Sequence, residues 1–144
     1  MHTKFHIYRA IVEGIAYALK EGLEGIEKKG HLKIKSLTIS GGGSRSDAIC
    51  QITSDIFGLE VNKSETFENS SLGCAMALYI SIGRYKNLEE ARQYMIRYSK
   101  TFKPNTEANK KYKILFKKIY KKIYPSLKNI YKELSDYQHQ IVQK

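Results

Sequence analysis

The sequence predicts an α/β fold, mostly helical, with a small parallel strand pair. Three observations carry this. Apolar residues recur at intervals of three and four over most of the 144 residues, the spacing of helices with one buried face. One short stretch, Ser36-Leu37-Thr38-Ile39-Ser40, alternates instead and suits a strand packed on both faces. It leads through Gly41-Gly42-Gly43-Ser44-Arg45-Ser46-Asp47 into a helical pattern over Ala48–Phe57, and then into strand-like Leu59–Val61. A strand–helix–strand order needs a crossover, so the two strands should pair in parallel.

In chain order, Thr3 is the expected N-cap of a first helix reaching about Glu27. Ile7, Ile11, Val12, Ile15, Ala18, Leu19, Leu23 and Ile26 form one stripe on it, expected to be buried. Lys28-Lys29-Gly30 should close it, with cations on the negative helix end and glycine at the C-cap. Glu13, on the polar side, reads as a solvated carboxylate. The second helix begins at Ser44 or Ser46, turns Ala48, Ile49, Ile52, Ile56 and Phe57 inward, and ends at Gly58. Ser70-Ser71 cap a third helix in which Leu72, Ala75, Met76, Leu78, Tyr79 and Ile82 pack, while Gly73, Cys74 and Ala77 keep its face thin. Asn87 caps a fourth, with Leu88, Ala91, Tyr94, Met95 and Tyr98 on its apolar side. After a break at Lys103-Pro104-Asn105, a long basic helix spans 106–140, and Pro125 should kink it near Tyr124.

A chain of this length makes one domain. Its net charge of +11 and pI near 9.6 would suit a nucleic-acid partner. From Lys100 onward, however, twelve Lys stand against three acids, so the charge sits on the terminal helix and not around the glycines. The tyrosines of that helix share its apolar row, which favours a solvated basic face over a grip on RNA. Cys50 and Cys74 lie in separate helices with no Cys-x-x-Cys, as expected of two reduced, mostly buried thiols in a cytoplasmic protein. No apolar run approaches the ~20 residues that span a bilayer. His2 and His6 have i, i+4 spacing but no third ligand, so no metal site is expected.

The glycine turn is the candidate site. Three glycines leave no Cβ over the backbone, so a ligand can lie against it. The following helix would aim its unpaired N–H groups and positive end at that ligand. A glycine-rich turn also occurs with no ligand, and this one is neither a Walker A loop nor a spaced Gly-x-Gly-x-x-Gly. On pattern alone the two readings are even. Arg45, at the helix mouth, would face a phosphate, a ribose oxygen or simply solvent, with solvent ahead. Asp55 sits near the negative end of its helix, an unfavourable place for an acid that implies a hydrogen bond to a neighbouring loop. Gln51 reads as a local amide contact, and Glu68 as an anion at a helix N-terminus.

Gly41-Gly42-Gly43-Ser44, with Gln51, Asp55 and Gly58 behind it, resembles the adenosine-binding segment of the FGGY carbohydrate kinases, among them glycerol kinase, xylulokinase and gluconokinase. Glu68-Asn69-Ser70-Ser71-Leu72-Gly73-Cys74-Ala75 resembles the Glu-x-x-x-Leu-Gly-Ala-Ala segment that follows it there. The first helix and the ending Phe102-Lys103-Pro104-Asn105 are similar too, so the resemblance covers nearly the whole chain. It implies a truncated ribonuclease H-like (actin-like ATPase) domain, with residues 1–144 as the C-terminal, nucleotide-side segment of a kinase that uses ATP. Gly41, Gly42 and Gly43 would pass under the ribose and inner phosphates. Ser46 would stand at the adenine edge, where relatives often present an amide and serine reaches less far. The sugar site, the aspartate that takes the hydroxyl proton and the Mg²⁺ ligands would lie outside this chain, so no catalytic or metal-binding residue is assigned within it. The expected partners are an adenine nucleotide and either a missing N-terminal kinase portion or a second copy, and the chain alone is expected to be inactive. Two alternatives stand beside this: a non-catalytic interaction protein derived from such a kinase, and a basic nucleic-acid-binding module built on the long helix.

Overall fold

Strand β1 (Ser36–Ile39) pairs in parallel with β2 (Glu60–Ser64), with Leu37 opposite Val61 and Ile39 opposite Lys63. The helix between them, α2 (Asp47–Phe57), is the crossover that the parallel pair demands. The computed structural model, which describes residues 2–142, adds a third strand to this pair. Strand β3 (Tyr98–Phe102) lies antiparallel on the far side of β2, giving the order β1-β2-β3. This corrects the expected fourth helix, since α4 (Leu88–Met95) stops three residues before Tyr98. Tyr98, Thr101 and Phe102 are residues that favour a pleated surface, and the Thr101 hydroxyl donates to Asn62 Oδ1 across the pair (2.7 Å).

Helix α1 (Lys4–Gly30) begins as the sequence indicates, with Thr3 as N-cap and its backbone N–H donating to His6 Nδ1 (3.1 Å). Its other end differs. His31, not Gly30, takes the left-handed conformation (φ 49°), and Glu27 Oε1 accepts from the Ile34 N–H (2.8 Å), which ties the helix end to the strand approach. The stripe on α1 is not buried. Ile7, Ile11, Ile15, Leu19 and Ile26 are each 57–62% exposed, and the helix buries only Ala16, Tyr17 and Lys20. Length explains this: a 27-residue helix runs about 40 Å, and a four-residue strand about 13 Å. Where α1 does pack, it packs on α2, and Lys20 Nζ donates to the Ile56 carbonyl at the negative end of that helix.

The core is Cys50, Val61 and Phe102, with Leu37 and Ile39 against them. Burial raises the Cys50 thiol pKa, so this cysteine is a small inert hydrophobe. Cys74 is the contrary case: it is exposed on α3 (Asn69–Ser81), where only Met76 is buried and Leu78 and Tyr79 face solvent, as does Ile82 at its C-cap. Helix α3 also starts before Ser70-Ser71, with Glu68 as its N-cap residue. It packs on α4, and Tyr85 in the connection between them stacks on Tyr94 of α4 at 5.7 Å.

The C-terminal end of α2 is a second anchor. Asp55, buried, accepts from Gln51 Nε2 (2.9 Å) and from the Asn105 N–H (2.8 Å). Gln51 also donates to the Lys103 carbonyl (2.9 Å), and Asn109 Nδ2 donates to the Asp55 carbonyl (2.6 Å). Gly58 ends the helix at φ 70°, and a Cβ there would lie 2.6 Å from Asn109 Nδ2, so glycine is required twice over. The reading of Asp55 as bonded to a neighbouring loop holds, while Gln51, expected to make a local contact, makes one to Asp55 and also reaches the distant Lys103 carbonyl.

The chain divides into two units, one ending at Asn109 and the other starting at Lys110. The second is helical. α5 (Thr106–Leu115) passes through a π turn, Phe116–Tyr120, into α6 (Lys121–Val142). The hydrogen-bond register changes at that turn, and α6 continues as helix through Pro125. Pro125 lacks the N–H that the Lys121 carbonyl would accept, and the register change falls just upstream, where Lys121 N–H reaches back to Phe116 O. Among the described residues no helix is long and apolar enough to cross a membrane.

Replacing Asp55 by alanine is expected to cost about 2 kcal/mol, the scale of a charge-assisted hydrogen bond. The urea midpoint should fall with no change in slope; an unchanged midpoint would contradict the anchor.

Candidate functional site

Two loops emerge at the carboxyl ends of the parallel strands, and they lie side by side because the strands do. The glycine turn follows β1, and Glu65–Glu68 follows β2. In open α/β sheets this is where ligands bind.

Gly41 has φ 80° and ψ −169°, a conformation that essentially only glycine adopts. Gly42 and Gly43 do not share it. They open a 3₁₀ turn, Gly42–Arg45, so of the three glycines Gly41 alone has positive φ. The buried Ser44 fixes the turn from within: its N–H (3.2 Å) and Oγ (2.7 Å) both donate to the Gly41 carbonyl, and the Cys50 thiol meets the Ser44 carbonyl (3.5 Å). The outer side is bare. A Cβ on Gly41, Gly42 or Gly43 would meet nothing within 4 Å, so packing does not demand the second and third glycines. The N–H groups of Gly42 and Gly43 begin the turn and have no partner inside it.

Of the two expected starts for α2, the structure takes Ser46, whose Oγ accepts from the Ile49 N–H at a long 3.5 Å. That hydroxyl satisfies one of the first N–H groups of α2. Asp47 in its first turn is gripped by Lys100 (2.7 Å) and Lys63 (2.9 Å), and these two hydrogen bonds hold its carboxyl below the usual carboxylate range. All four expected site residues, Gly41, Gly42, Gly43 and Ser46, thus fall in one turn, with the Ser46 hydroxyl committed as an acceptor and its proton still available to donate.

Arg45 was read as facing solvent. It is exposed, yet its guanidinium lies 5.0 Å over the ring centroid of Phe67 in the neighbouring loop. The Phe67, Lys63 and Lys100 roles had no sequence signal, because each depends on the pairing of β2 with its neighbours. Among the described residues no group of three or more His, Cys, Asp or Glu is placed to hold a metal ion. Hydroxyls, N–H groups and a guanidinium surround the turn, a set suited to an anion and not to Mg²⁺.

Beneath the turn an apolar groove of about 490 Å³ opens between α1, β1 and α2, lined by Ile15, Leu19, Leu37, Ile39, Ile49 and Phe57 among others and, from the turn itself, by Gly43 and Ser44, with no charged group. β1 is the sheet edge along it. The groove has no charged group to meet a phosphate, and its apolar lining suits another element's apolar face.

Gly41→Ala should cost about 1–3 kcal/mol through its backbone conformation, whereas Gly42→Ala should leave thermal unfolding unchanged. Equal effects of the two substitutions would contradict this turn geometry.

Comparison with known proteins agrees with the fold. The profile of the FGGY family of carbohydrate kinases, C-terminal domain, matches residues 1–82. The xylulose kinase of Bacillus subtilis (strain 168) is 33% identical over 135 residues, which cover 94% of this chain and 25% of that protein. A glycerol kinase of Saccharolobus islandicus (strain M.16.27) is 33% identical over 109 residues, 76% of this chain and 22% of that one. Among solved structures, a ligand-bound xylulose kinase from Lactobacillus acidophilus superposes with a TM-score of 0.83 at 25% identity, over 93% of this chain and 27% of the other. A gluconate kinase from the same organism shares the fold, with a TM-score of 0.76 at 24% identity over 88% of this chain and 26% of the other. This chain therefore spans about a quarter of the length of these relatives. It belongs to the FGGY family of carbohydrate kinases and carries the C-terminal domain of that family, with an actin-like ATPase fold.

Proposed function

We propose that this chain is the nucleotide-side portion of a carbohydrate kinase that transfers the γ-phosphoryl group of ATP to a sugar or polyol hydroxyl. The observation that carries the proposal is the bare glycine turn at the carboxyl ends of a parallel strand pair, in a chain of this family. Gly41–Gly43 run beneath the ribose and inner phosphates, where the N–H groups of Gly42 and Gly43 meet the anion without a side chain between. Ser46 donates its hydroxyl proton to an acceptor at the adenine edge.

Phosphoryl transfer to an alcohol also needs a base at the acceptor oxygen and charge neutralisation at the γ-phosphate. The glycine turn has neither. In this reading both come from a further polypeptide portion, equivalent to the three quarters of the relatives' length that this chain does not cover. The open edge of β1, the exposed row on α1 and the apolar groove are the surface on which that portion closes. Mg²⁺, which supplies charge neutralisation to the phosphates when bound, has no fitting donor set at this turn. The domain assignment follows: residues 1–144 act as one nucleotide-side segment, with the basic helix of 106–140 as part of it.

The chain alone is expected to phosphorylate no sugar or polyol, and to bind ADP weakly, since half of the enclosing cleft is absent. Gly42→Val tests the site, because its φ is not positive and its Cβ points into open space, so the fold is kept while the ligand side is blocked. NMR titration with ADP should shift Gly41–Ser46 in the wild type and not in the variant. Shifts confined to 110–142, or indifferent to Gly42→Val, would defeat the site, and robust kinase activity of the pure chain would defeat the division of labour.

A further inference from the structure

One contact at the candidate site has no part in the nucleotide reading given above. Arg45 closes the glycine turn, and Phe67 stands in the loop after the neighbouring strand. The guanidinium carbon lies 5.0 Å from the Phe67 ring centroid. Phe67 is half-buried and Arg45 exposed. None of the ion pairs among the described residues involves Arg45. The pair therefore joins the two loops at the carboxyl ends of the parallel strands, with one side of the guanidinium against an aromatic ring and the other toward solvent.

A cation that meets a phosphate, whether Arg or Lys, needs no aromatic support. An aromatic ring below a planar guanidinium limits its swing and presents a flat, weakly hydrated face, on which a second π system stacks. Position within the turn points the same way. The bare glycine backbone lies at the start of the turn, and Arg45 lies at its end, directly before Ser46. A nucleotide laid along the turn with its phosphates on the glycines brings its base to Arg45.

We propose that Arg45, held by Phe67, is the stacking surface for the base of the bound nucleotide, and that it selects purine over pyrimidine nucleotides. The inference rests on the reading of Gly41–Ser46 as the nucleotide turn. A purine offers two fused rings to the guanidinium and a pyrimidine one, so the stack discriminates between them without a hydrogen bond to the base.

The test is a set of titrations of the full chain with ADP, CDP and inorganic pyrophosphate, read by NMR or calorimetry. The wild type should bind ADP more tightly than CDP. Arg45→Ala and Phe67→Leu should each weaken ADP by about tenfold, the scale of one stacked base, and reduce the ADP preference. Pyrophosphate should change by less than about twofold, and Arg45→Lys should fail to restore ADP. If Arg45→Ala weakens pyrophosphate and ADP alike and Arg45→Lys restores both, Arg45 is a phosphate contact and the inference falls. If ADP binding is lost in Gly42→Val but untouched in Arg45→Ala, the nucleotide turn stands and the inference alone falls. If wild-type ADP shifts are absent at millimolar concentration, or indifferent to Gly42→Val, the nucleotide turn itself falls and takes the inference with it.

Discussion

The parallel pairing of Ser36–Ile39 with Glu60–Ser64 is the constraint on which the rest of the structure depends. Parallel neighbours cannot be joined by a tight turn, so the chain must leave β1, cross the sheet as α2 and return. That path puts the glycine turn and the Phe67 loop at the same end of the sheet and next to each other. Polar contacts hold both ends of the crossover. At its start, Asp47 is clasped by Lys63 from β2 and Lys100 from β3. At its end, Ser54 Oγ lies 2.8 Å from the Leu59 carbonyl and 3.1 Å from the Phe102 carbonyl, while Asp55 holds the loop at Asn105. Exposed ion pairs such as those of Asp47 contribute little each, so the buried contacts at Ser54 and Asp55 do more to fix the helix.

The sheet has two edge strands, β1 and β3. β2 has neighbours on both edges, and Val61 at its centre is fully buried. β1 has a neighbour on one edge, and the side chains that would cover its surroundings are in water. Burying a large aliphatic side chain is worth about 1.5–3 kcal/mol. The five exposed Ile and Leu side chains on α1 thus represent on the order of 10 kcal/mol of unrealised burial, comparable with the net stability of an ordinary domain. A partner that covered them would gain a driving force of that order before the costs of association. This uncovered apolar surface accords with a chain that spans a quarter of its relatives' length.

The elements that sequence reasoning recovered were those whose signals are local. Thr3 as a cap, the strand–glycine–helix–strand order and Gly58 as a helix stop all depend on residues within one turn of each other. Asp55 was legible for a related reason: an acid at the negative end of a helix needs a donor, and Asn105 supplies it. What failed was decided by neighbours distant in sequence. Tyr98 follows Tyr94 and Met95 at helical spacing, and only pairing with Ser64 makes it a strand residue. Cys74 and the α1 stripe read as buried from pattern, but a stripe reports that a face is apolar and not that it is covered. Arg45 and Phe67 are 22 positions apart, and nothing in either residue announces the contact.

In the proposed reading a nucleotide's phosphates lie along Gly41–Gly43 and its base at Arg45, on the outer side of the turn and outside the apolar groove that Gly43 and Ser44 also line. A crystal structure of this chain grown with ADP tests that claim most directly. The prediction is ligand density over the bare outer side of the turn, with the base toward Arg45 and Ser46. Density for ADP in the groove between α1 and α2, or along the basic helix with the glycine turn empty, would contradict it.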